Sequence, residues 1–256
     1  MIQSTIHEKT HLGYVHLTVT DLERSTTWYQ EALGFQIHRQ EGDTAYLGAG
    51  REDLLVLTGN PQARKVAHTT GLYHFAILVP SRLALAQSLQ NMIDTETRIG
   101  GWSDHLVSEA IYLDDPDGNG IEIYRDRPRD TWNYDNDHVR MAVDPFDARG
   151  VLNELKPERP PWNGLEPETV LGHMHVHVAH LAEAEAFYRD VLGFGMMAHL
   201  MGSASFVSAG GYHHHIGMNT WAGVGVPPAP EDAVGLRYFT IHLPEASECD
   251  RLVERL

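Results

Sequence analysis

The chain has 256 residues, of which 42% are apolar, and a formal net charge of −16 at neutral pH. That length accommodates one large domain or two of ordinary size, and the apolar content suffices for a packed core. The strong negative charge disfavours nucleic acid and anionic membranes as partners, because contacts to phosphates need clusters of Lys and Arg. We therefore expect a small-molecule ligand.

No apolar run approaches the ~18 residues needed to cross a bilayer, and the N-terminal segment MIQSTIHEKT lacks the apolar core of a signal peptide. A soluble cytoplasmic protein is expected. The single cysteine, Cys249, rules out an internal disulfide and any cysteine-based metal site. A metal would have to be held by carboxylates and by some of the 17 histidines.

One pattern is repeated along the chain. The segment VHLTVTDLERSTTWYQEALGF (15–35) aligns without a gap with MHVHVAHLAEAEAFYRDVLGF (174–194). Each copy predicts a strand with alternating apolar residues, an amphipathic helix and a glycine at the helix end. Two further predicted strands with glycine turns follow each copy, TAYLGAG with DLLVLTG and ASFVSAG with HHHIGMN. The order predicts a βαβββ module.

A second pair of segments, GLYHFAILVP (71–80) and GLRYFTIHLP (235–244), also aligns without a gap, and a helical stretch follows each. The sequence thus predicts four modules. They cover about 10–60, 69–127, 170–222 and 233–256.

We expect residues 1–127 to form a first domain of two modules and residues 170–256 to form a second one. A Pro- and Trp-containing segment with little periodicity, 128–169, is predicted to be the linker. As given, module 4 stops after its helix at Leu256 and lacks the last three strands of the pattern, so it cannot close its own sheet.

Tandem βαβββ modules with the signatures DLERSTTWY and DPDGNGIEIY resemble the vicinal oxygen chelate superfamily, which includes glyoxalase I, bleomycin-resistance proteins and extradiol dioxygenases. With four modules and the segment YHHHIGMNTW, the resemblance is strongest to the two-domain catechol-2,3-dioxygenases. It implies an α+β fold in which pairs of modules form incomplete barrels, with metal ligands on the first and last strands of a module.

The alternation of side chains along a strand places Tyr14, His74, His173 and Tyr238 at the same inward position of the four first strands. Glu122 is the only carboxylate in a predicted last strand. Extradiol dioxygenases hold Fe(II) with two histidines and one carboxylate. The resemblance therefore implies an Fe(II) site made of His74, Glu122 and His173, and Mn(II) accepts the same ligand types.

This ligand set departs from the family, in which the second half of the chain supplies all three ligands. We infer that modules 2 and 3 pair around the metal, while modules 1 and 4, with tyrosine at the ligand position, form the other pair. Exchange between the subunits of a dimer would give the same set, and a homo-oligomer is expected.

Two of these candidate ligands have an alternative role. His74 by itself fits a core histidine with a hydrogen-bond partner. Glu122 lies between Ile121 and Ile123, where an uncompensated carboxylate costs several kcal/mol unless the strand is an edge open to solvent.

The resembled family uses a histidine as acid–base catalyst, the second of a His–His pair in the last strand of a module, and this position falls on His214. Histidine suits the role because its pKa lies near neutrality. In a strand, His214 points away from His213 and His215, so His215 is the rival. The alternative for all three is a cluster that is solvated or that lies behind the residues contacting metal and substrate.

Tyr112, Pro116 and Glu122 match the family spacing for a tyrosine that hydrogen-bonds the substrate oxygen, although Tyr112 could equally serve in packing. His105 lies seven residues before Tyr112, where the family has a histidine nearer nine, and it is the candidate for a further substrate contact.

The resemblance thus implies extradiol cleavage of a catechol with O2. A glyoxalase-type isomerase or lyase, which needs a second carboxylate as base, and a metal-free binding protein of the bleomycin-resistance kind are the alternatives, since one fold hosts all three functions.

Overall fold

The protein is described by a computed structural model, which covers residues 4–135, 138–156, 162–200 and 202–256. Four βαβββ modules follow one another, the fourth being limited to a strand and a helix, as expected from the sequence.

Module 1 consists of β1 (His11–Val19), α1 (Leu22–Leu33), β2 (Gln36–Glu41), β3 (Thr44–Gly48) and β4 (Asp53–Gly59). Module 2 consists of β5 (Gly71–Leu78), α2 (Arg82–Asp94), β6 (Ile99–Asp104), β7 (Ser108–Asp114) and β8 (Gly120–Asp126). The connecting segment contains β9 (Tyr134–Asp135), β10 (His138–Val139) and α3 (Ala148–Leu152). Module 3 consists of β11 (Val170–His177), α4 (Leu181–Glu185) with a π-helical continuation (Ala186–Val191), β12 (Gly195–Leu200), β13 (Ala204–Ser208) and β14 (Ile216–Asn219). Module 4 consists of β15 (Gly235–His242) and α5 (Ala246–Val253).

The first helix shows how the sequence sets the module boundaries. Asp21 caps α1 by accepting a hydrogen bond from the backbone N–H of Arg24, and Gly34 ends the helix in the left-handed conformation at φ 76°. Tyr29 and Leu33 on its inner face are fully buried. The helix therefore covers one face of the sheet and leaves the other face free.

The strands form two large sheets. The first has the order β15-β1-β4-β3-β2 and combines modules 1 and 4; the second has the order β12-β13-β14-β11-β5-β8-β7-β6 and combines modules 2 and 3. The expected pairing of the modules is thus confirmed, within one chain. Each sheet joins one module from either side of the connecting segment, and the domain limits 1–127 and 170–256 stay a prediction.

Strand alternation separates two faces in each sheet. Val15, Leu17 and Val19 of β1 are fully buried in the main core, which also contains Phe75 and Ile77 of β5. The intervening positions of β5 and β8 point to the opposite, concave face, where polar residues gather. No helix among the described residues has the length and apolarity needed to span a membrane.

One expectation about local structure is wrong. Strand β14 begins at Ile216, so His213 to His215 precede the strand instead of forming part of it. The segment 128–169, predicted to be the linker, carries short elements among its described residues and forms part of a pocket wall.

Candidate metal centre and its pocket

Three adjacent strands, β11, β5 and β8, bring the predicted ligands to one place on the concave face. His173 pairs with Ala76 across β11 and β5, and Ala76 pairs with Glu122 across β5 and β8. His74 lies two residues before Ala76 and therefore shares its face. Gly120 permits the close approach of β8 to β5, because a Cβ there would lie 2.1 Å from the carbonyl oxygen of Tyr73.

The ligand atoms converge closely. Glu122 Oε2 lies 3.1 Å from Nε2 of His74 and 3.1 Å from Nε2 of His173. The two Nε2 atoms are 3.4 Å apart. Among the described residues, this is the one cluster of three His, Cys, Asp or Glu side chains whose ligand atoms lie close enough together to hold a metal ion.

Glu122 is buried, with 2% of its surface exposed, and β8 lies between β5 and β7 within the sheet. It is therefore not a solvated edge carboxylate. Burial alone would raise the pKa of Glu122, but the neighbouring His173 and His74 outweigh it and hold that pKa well below its usual range. Burial lowers the pKa of His173 to about 4. The site thus presents an ionised carboxylate and a neutral imidazole, the protonation states that bind a metal.

The arrangement fits a divalent cation. Bonds of about 2.1 Å at right angles would place neighbouring ligand atoms ~3.0 Å apart, close to the separations found here. A buried carboxylate beside the neutral imidazole of His173 also leaves a negative charge that a cation would compensate. Two nitrogens and one oxygen on one face suit iron or manganese.

Tyr112 and His105 form a hydrogen-bonded pair beside this cluster. His105 Nδ1 lies 2.7 Å from the carbonyl oxygen of Ala142, to which it donates, so its Nε2 accepts from the Tyr112 hydroxyl at 2.6 Å. Burial and the nearby Glu122 carboxylate raise the pKa of Tyr112 well above its usual value. The phenol stays protonated, with its oxygen lone pairs available in the pocket.

The side chains of the three consecutive histidines do not all point in the same direction. His213 and His214 line the pocket, and the ring of His214 lies 4.1 Å from that of His173 between centroids. His215 is turned away from the pocket, and its Nδ1 accepts a hydrogen bond from the backbone N–H of Ala209 at 3.1 Å. Because the segment is not a strand, the expected alternation of directions fails: His213 and His214 point the same way.

Sequence reasoning did not single out several pocket residues. His175 follows His173 by two positions on β11, and its Nε2 accepts a hydrogen bond from Asn219 Nδ2 at 2.9 Å. Tyr73 and Trp221 pack edge to face beside it, at 5.1 Å between centroids. The alternation in HMHVH placed His175 on the face of His173 and was the available signal. The connecting segment adds Val139, Met141 and Ala142 to the wall, for which the sequence offered no signal.

Among the described residues of the other modules, no comparable cluster occurs. The hydroxyls of Tyr14 and Tyr238, at the positions equivalent to the two histidines, lie 3.4 Å apart in the first sheet. In module 3, His175 pairs with Gly217 of β14, whereas the equivalent pair in module 2 is Ala76 with Glu122. Gly217 therefore offers no second carboxylate at the position equivalent to Glu122.

Comparisons with known proteins agree with this architecture. A sequence profile described as the Glyoxalase/Bleomycin resistance protein/Dioxygenase superfamily matches residues 11–123. The chain is 48% identical over 258 aligned positions to the catechol-2,3-dioxygenase of Bacillus subtilis (strain 168), covering 99% of this chain and 90% of that protein.

Solved structures show the same fold. A candidate dioxygenase of Bacillus subtilis superposes with a TM-score of 0.62 at 13% identity, covering 94% of this chain and 72% of that one. Glyoxalase I from Zea mays superposes with a TM-score of 0.56 at 17% identity, covering 96% and 79%. The α+β architecture predicted from the sequence is confirmed, and the chain belongs to the glyoxalase/bleomycin resistance protein/dioxygenase superfamily.

Proposed function

We propose that the protein is an extradiol ring-cleaving dioxygenase, which inserts O2 into a catechol next to its two hydroxyl groups. The observation that carries the proposal is the convergence of His74, Glu122 and His173 within 3.1 to 3.4 Å on the floor of a pocket. The 48% identity to a catechol-2,3-dioxygenase over nearly the full length supports the same activity.

Fe(II), or Mn(II) with the same ligands, would be held by these three side chains. When bound, the metal would supply positive charge and open coordination positions for the oxygens of the substrates.

The pocket residues provide the remaining functions. His214 accepts a proton from a catechol hydroxyl and later returns one. Burial lowers the pKa of His214 well below the usual value, so the ring is neutral before the substrate binds. The Tyr112 oxygen, oriented by the hydrogen bond to His105, accepts a hydrogen bond from a substrate hydroxyl. His215 takes no part, since its ring lies outside the pocket.

The alternatives fit less well. A glyoxalase-type reaction needs a second carboxylate as base, and Gly217 occupies the corresponding position. A metal-free binding protein would gain nothing from a buried carboxylate between two imidazoles. The proposed cellular setting is the cytoplasm, and the proposed assembly is a homo-oligomer.

The test loads the purified protein anaerobically with Fe(II) and then adds catechol and air. We expect oxygen uptake and a yellow ring-fission product. The Glu122→Gln variant should lose iron and activity together, because the charge that offsets the cation is gone, whereas Tyr238→Phe in the other sheet should keep both.

Iron-loaded protein that consumes no oxygen with any catechol would refute the proposed activity. Loss of iron in the Tyr238→Phe variant would refute the ligand assignment.

A further inference from the structure

A line of hydrogen bonds leads from the pocket to the other end of β8. His214 Nδ1 lies 2.8 Å from His213 Nδ1, and His213 Nε2 lies 3.0 Å from Asp126 Oδ1. The His213 side chain is 1% exposed and the Asp126 side chain 24% exposed. The proposed function assigns no role to Asp126 or to His213.

The positions of the protons along this line follow from the partners. A carboxylate can only accept, so His213 carries its proton on Nε2 and donates it to Asp126. When the ring carries no second proton, its lone pair is on Nδ1, and the nearby Nδ1 of His214 donates to it. His214 is therefore the Nδ1–H tautomer, and its lone pair lies on Nε2.

The Nε2 atom of His214 makes no hydrogen bond with any of the described residues, and the ring lines the pocket. It is the nitrogen that a catechol hydroxyl can reach. A histidine acting as base must present an unprotonated nitrogen to its substrate, so the tautomer decides whether His214 can work at all.

The ring of His213 is held in place by its neighbours. It packs against Tyr212 at 4.1 Å and Trp132 at 5.4 Å between ring centroids. Trp132 belongs to a small core with Val107, Val139 and Met197. The ring therefore has little freedom to rotate and break its two hydrogen bonds.

We infer that Asp126 and His213 are positioning residues that fix His214 as the Nδ1–H tautomer and aim its Nε2 lone pair into the pocket. The inference rests on the proposed function for its catalytic meaning, while the tautomer itself is a property of the folded protein.

The first test measures the tautomer directly, without turnover. Protein labelled with ¹⁵N-histidine and free of metal is studied by NMR at pH 7.5, with the His214 signals assigned from a His214→Gln variant. We expect the Nδ1–H tautomer for His214, and a shift toward Nε2–H in Asp126→Ala. An Nε2–H tautomer in the unmodified protein, or no change in Asp126→Ala, would overturn the inference.

The second test uses iron-loaded protein and catechol. We expect kcat to fall about 10- to 100-fold in Asp126→Ala and in His213→Phe, while KM and iron content stay unchanged. The loss is smaller than the ~10²–10⁴-fold that a general acid–base group contributes, because His214 itself is still present. His213→Asn should recover part of the loss, because its amide oxygen can accept from His214 Nδ1. Unchanged kcat in Asp126→Ala and His213→Phe would contradict the inference.

A matched control breaks another Asp–His pair. Asp53 Oδ1 lies 2.8 Å from His38 Nδ1 in the first sheet, away from the pocket. Asp53→Asn should leave kcat unchanged, and an equal fall in kcat would mean that the effect of Asp126→Ala is not specific. If the unmodified protein has no dioxygenase activity, the proposed function fails, and the NMR result still decides the tautomer.

Discussion

Several histidines of this chain are kept neutral mainly by burial. His16 in β1 is 8% exposed, its Nε2 lies 2.8 Å from Thr58 Oγ1, and its Nδ1 is buried without a partner among the described residues. Burial, followed by the charge of Arg237, lowers the pKa of His16 to about 4. The same effect acts at His173, where it favours metal binding over protonation.

For His16, the lowered pKa predicts a pH-dependent stability. At His16, the unfolded chain binds a proton near pH 6.5 and the folded chain only near pH 4. The contribution of neutral His16 to the free energy of unfolding is therefore complete above pH 6.5, and it is lost as the pH falls from 6.5 toward 4. We expect His16→Gln to make the free energy of unfolding less dependent on pH over this window, by about 1 to 3 kcal/mol.

Urea unfolding at several pH values measures this effect. Replacement of the exposed His180 by Gln serves as the control and should leave the pH dependence of the free energy of unfolding unchanged. A His16→Gln curve parallel to that of the unmodified protein between pH 4 and 6.5 would contradict the prediction.

At the scale of elements, one buried carboxylate ties module 2 to the connecting segment. Glu109 of β7 accepts hydrogen bonds from Arg82 Nε at 2.9 Å and from Arg125 Nε at 2.6 Å. Arg82 also donates to the carbonyl oxygen of Gly150 in α3 and to Glu154, both at 3.0 Å. The network anchors the segment that forms one wall of the pocket.

Replacing Glu109 by Gln should lower the free energy of unfolding by about 3 to 5 kcal/mol, because the arginines lose the charge that compensates them. In contrast, Glu41→Gln breaks only an exposed pair with Arg39 and should cost at most about 1 kcal/mol. Urea denaturation of both variants gives the comparison, and similar losses in the two would show that Glu109 is not an anchor.

At the scale of the whole molecule, the candidate ligands come from two modules that are far apart in sequence. His173 belongs to module 3, while His74 and Glu122 belong to module 2. The central strands β5 and β11 join these modules edge to edge. A metal at this junction would act as a cross-link between the two halves of the larger sheet.

We therefore expect metal to stabilise the fold. At a concentration 100 times its Kd, Fe(II) or Mn(II) should add about 2.7 kcal/mol to the free energy of unfolding, since it binds the folded state alone. Anaerobic thermal unfolding with and without metal would measure a rise in Tm of roughly 5 to 10 °C. The same rise in Glu122→Gln would place the stabilising metal elsewhere.

Much of the fold was predictable because it depends on local patterns. Period-2 alternation in β1 and β5 and the caps of α1 define the modules, and their internal repetition identifies the superfamily. The resemblance to that superfamily, with the same alternation carried across the repeats, implied His74, His173 and Glu122 as candidate ligands. These signals lie within single elements or in the comparison of one module with another.

The conformation of residues 213–215 and the path of the connecting segment could not be predicted, because tertiary contacts determine them and no local sequence pattern indicates those contacts. His213 packs against its chain neighbour Tyr212 and against Trp132, which lies far earlier in the chain, and it contacts Asp126 at the end of β8. The connecting segment approaches the pocket through the hydrogen bonds of Asp104 with Asp144 and of His105 with Ala142.

The sequence by itself determined the modules through periodicity, turn residues and internal repeats, and its resemblance to a known superfamily implied the set of candidate ligands. Only the tertiary structure decided that the candidate ligands meet within one chain, that β8 is an interior strand and Glu122 buried, and that His214 rather than His215 faces the pocket. The physical reason is that strand pairing and the direction of a side chain in an irregular segment are set by long-range packing and hydrogen bonding.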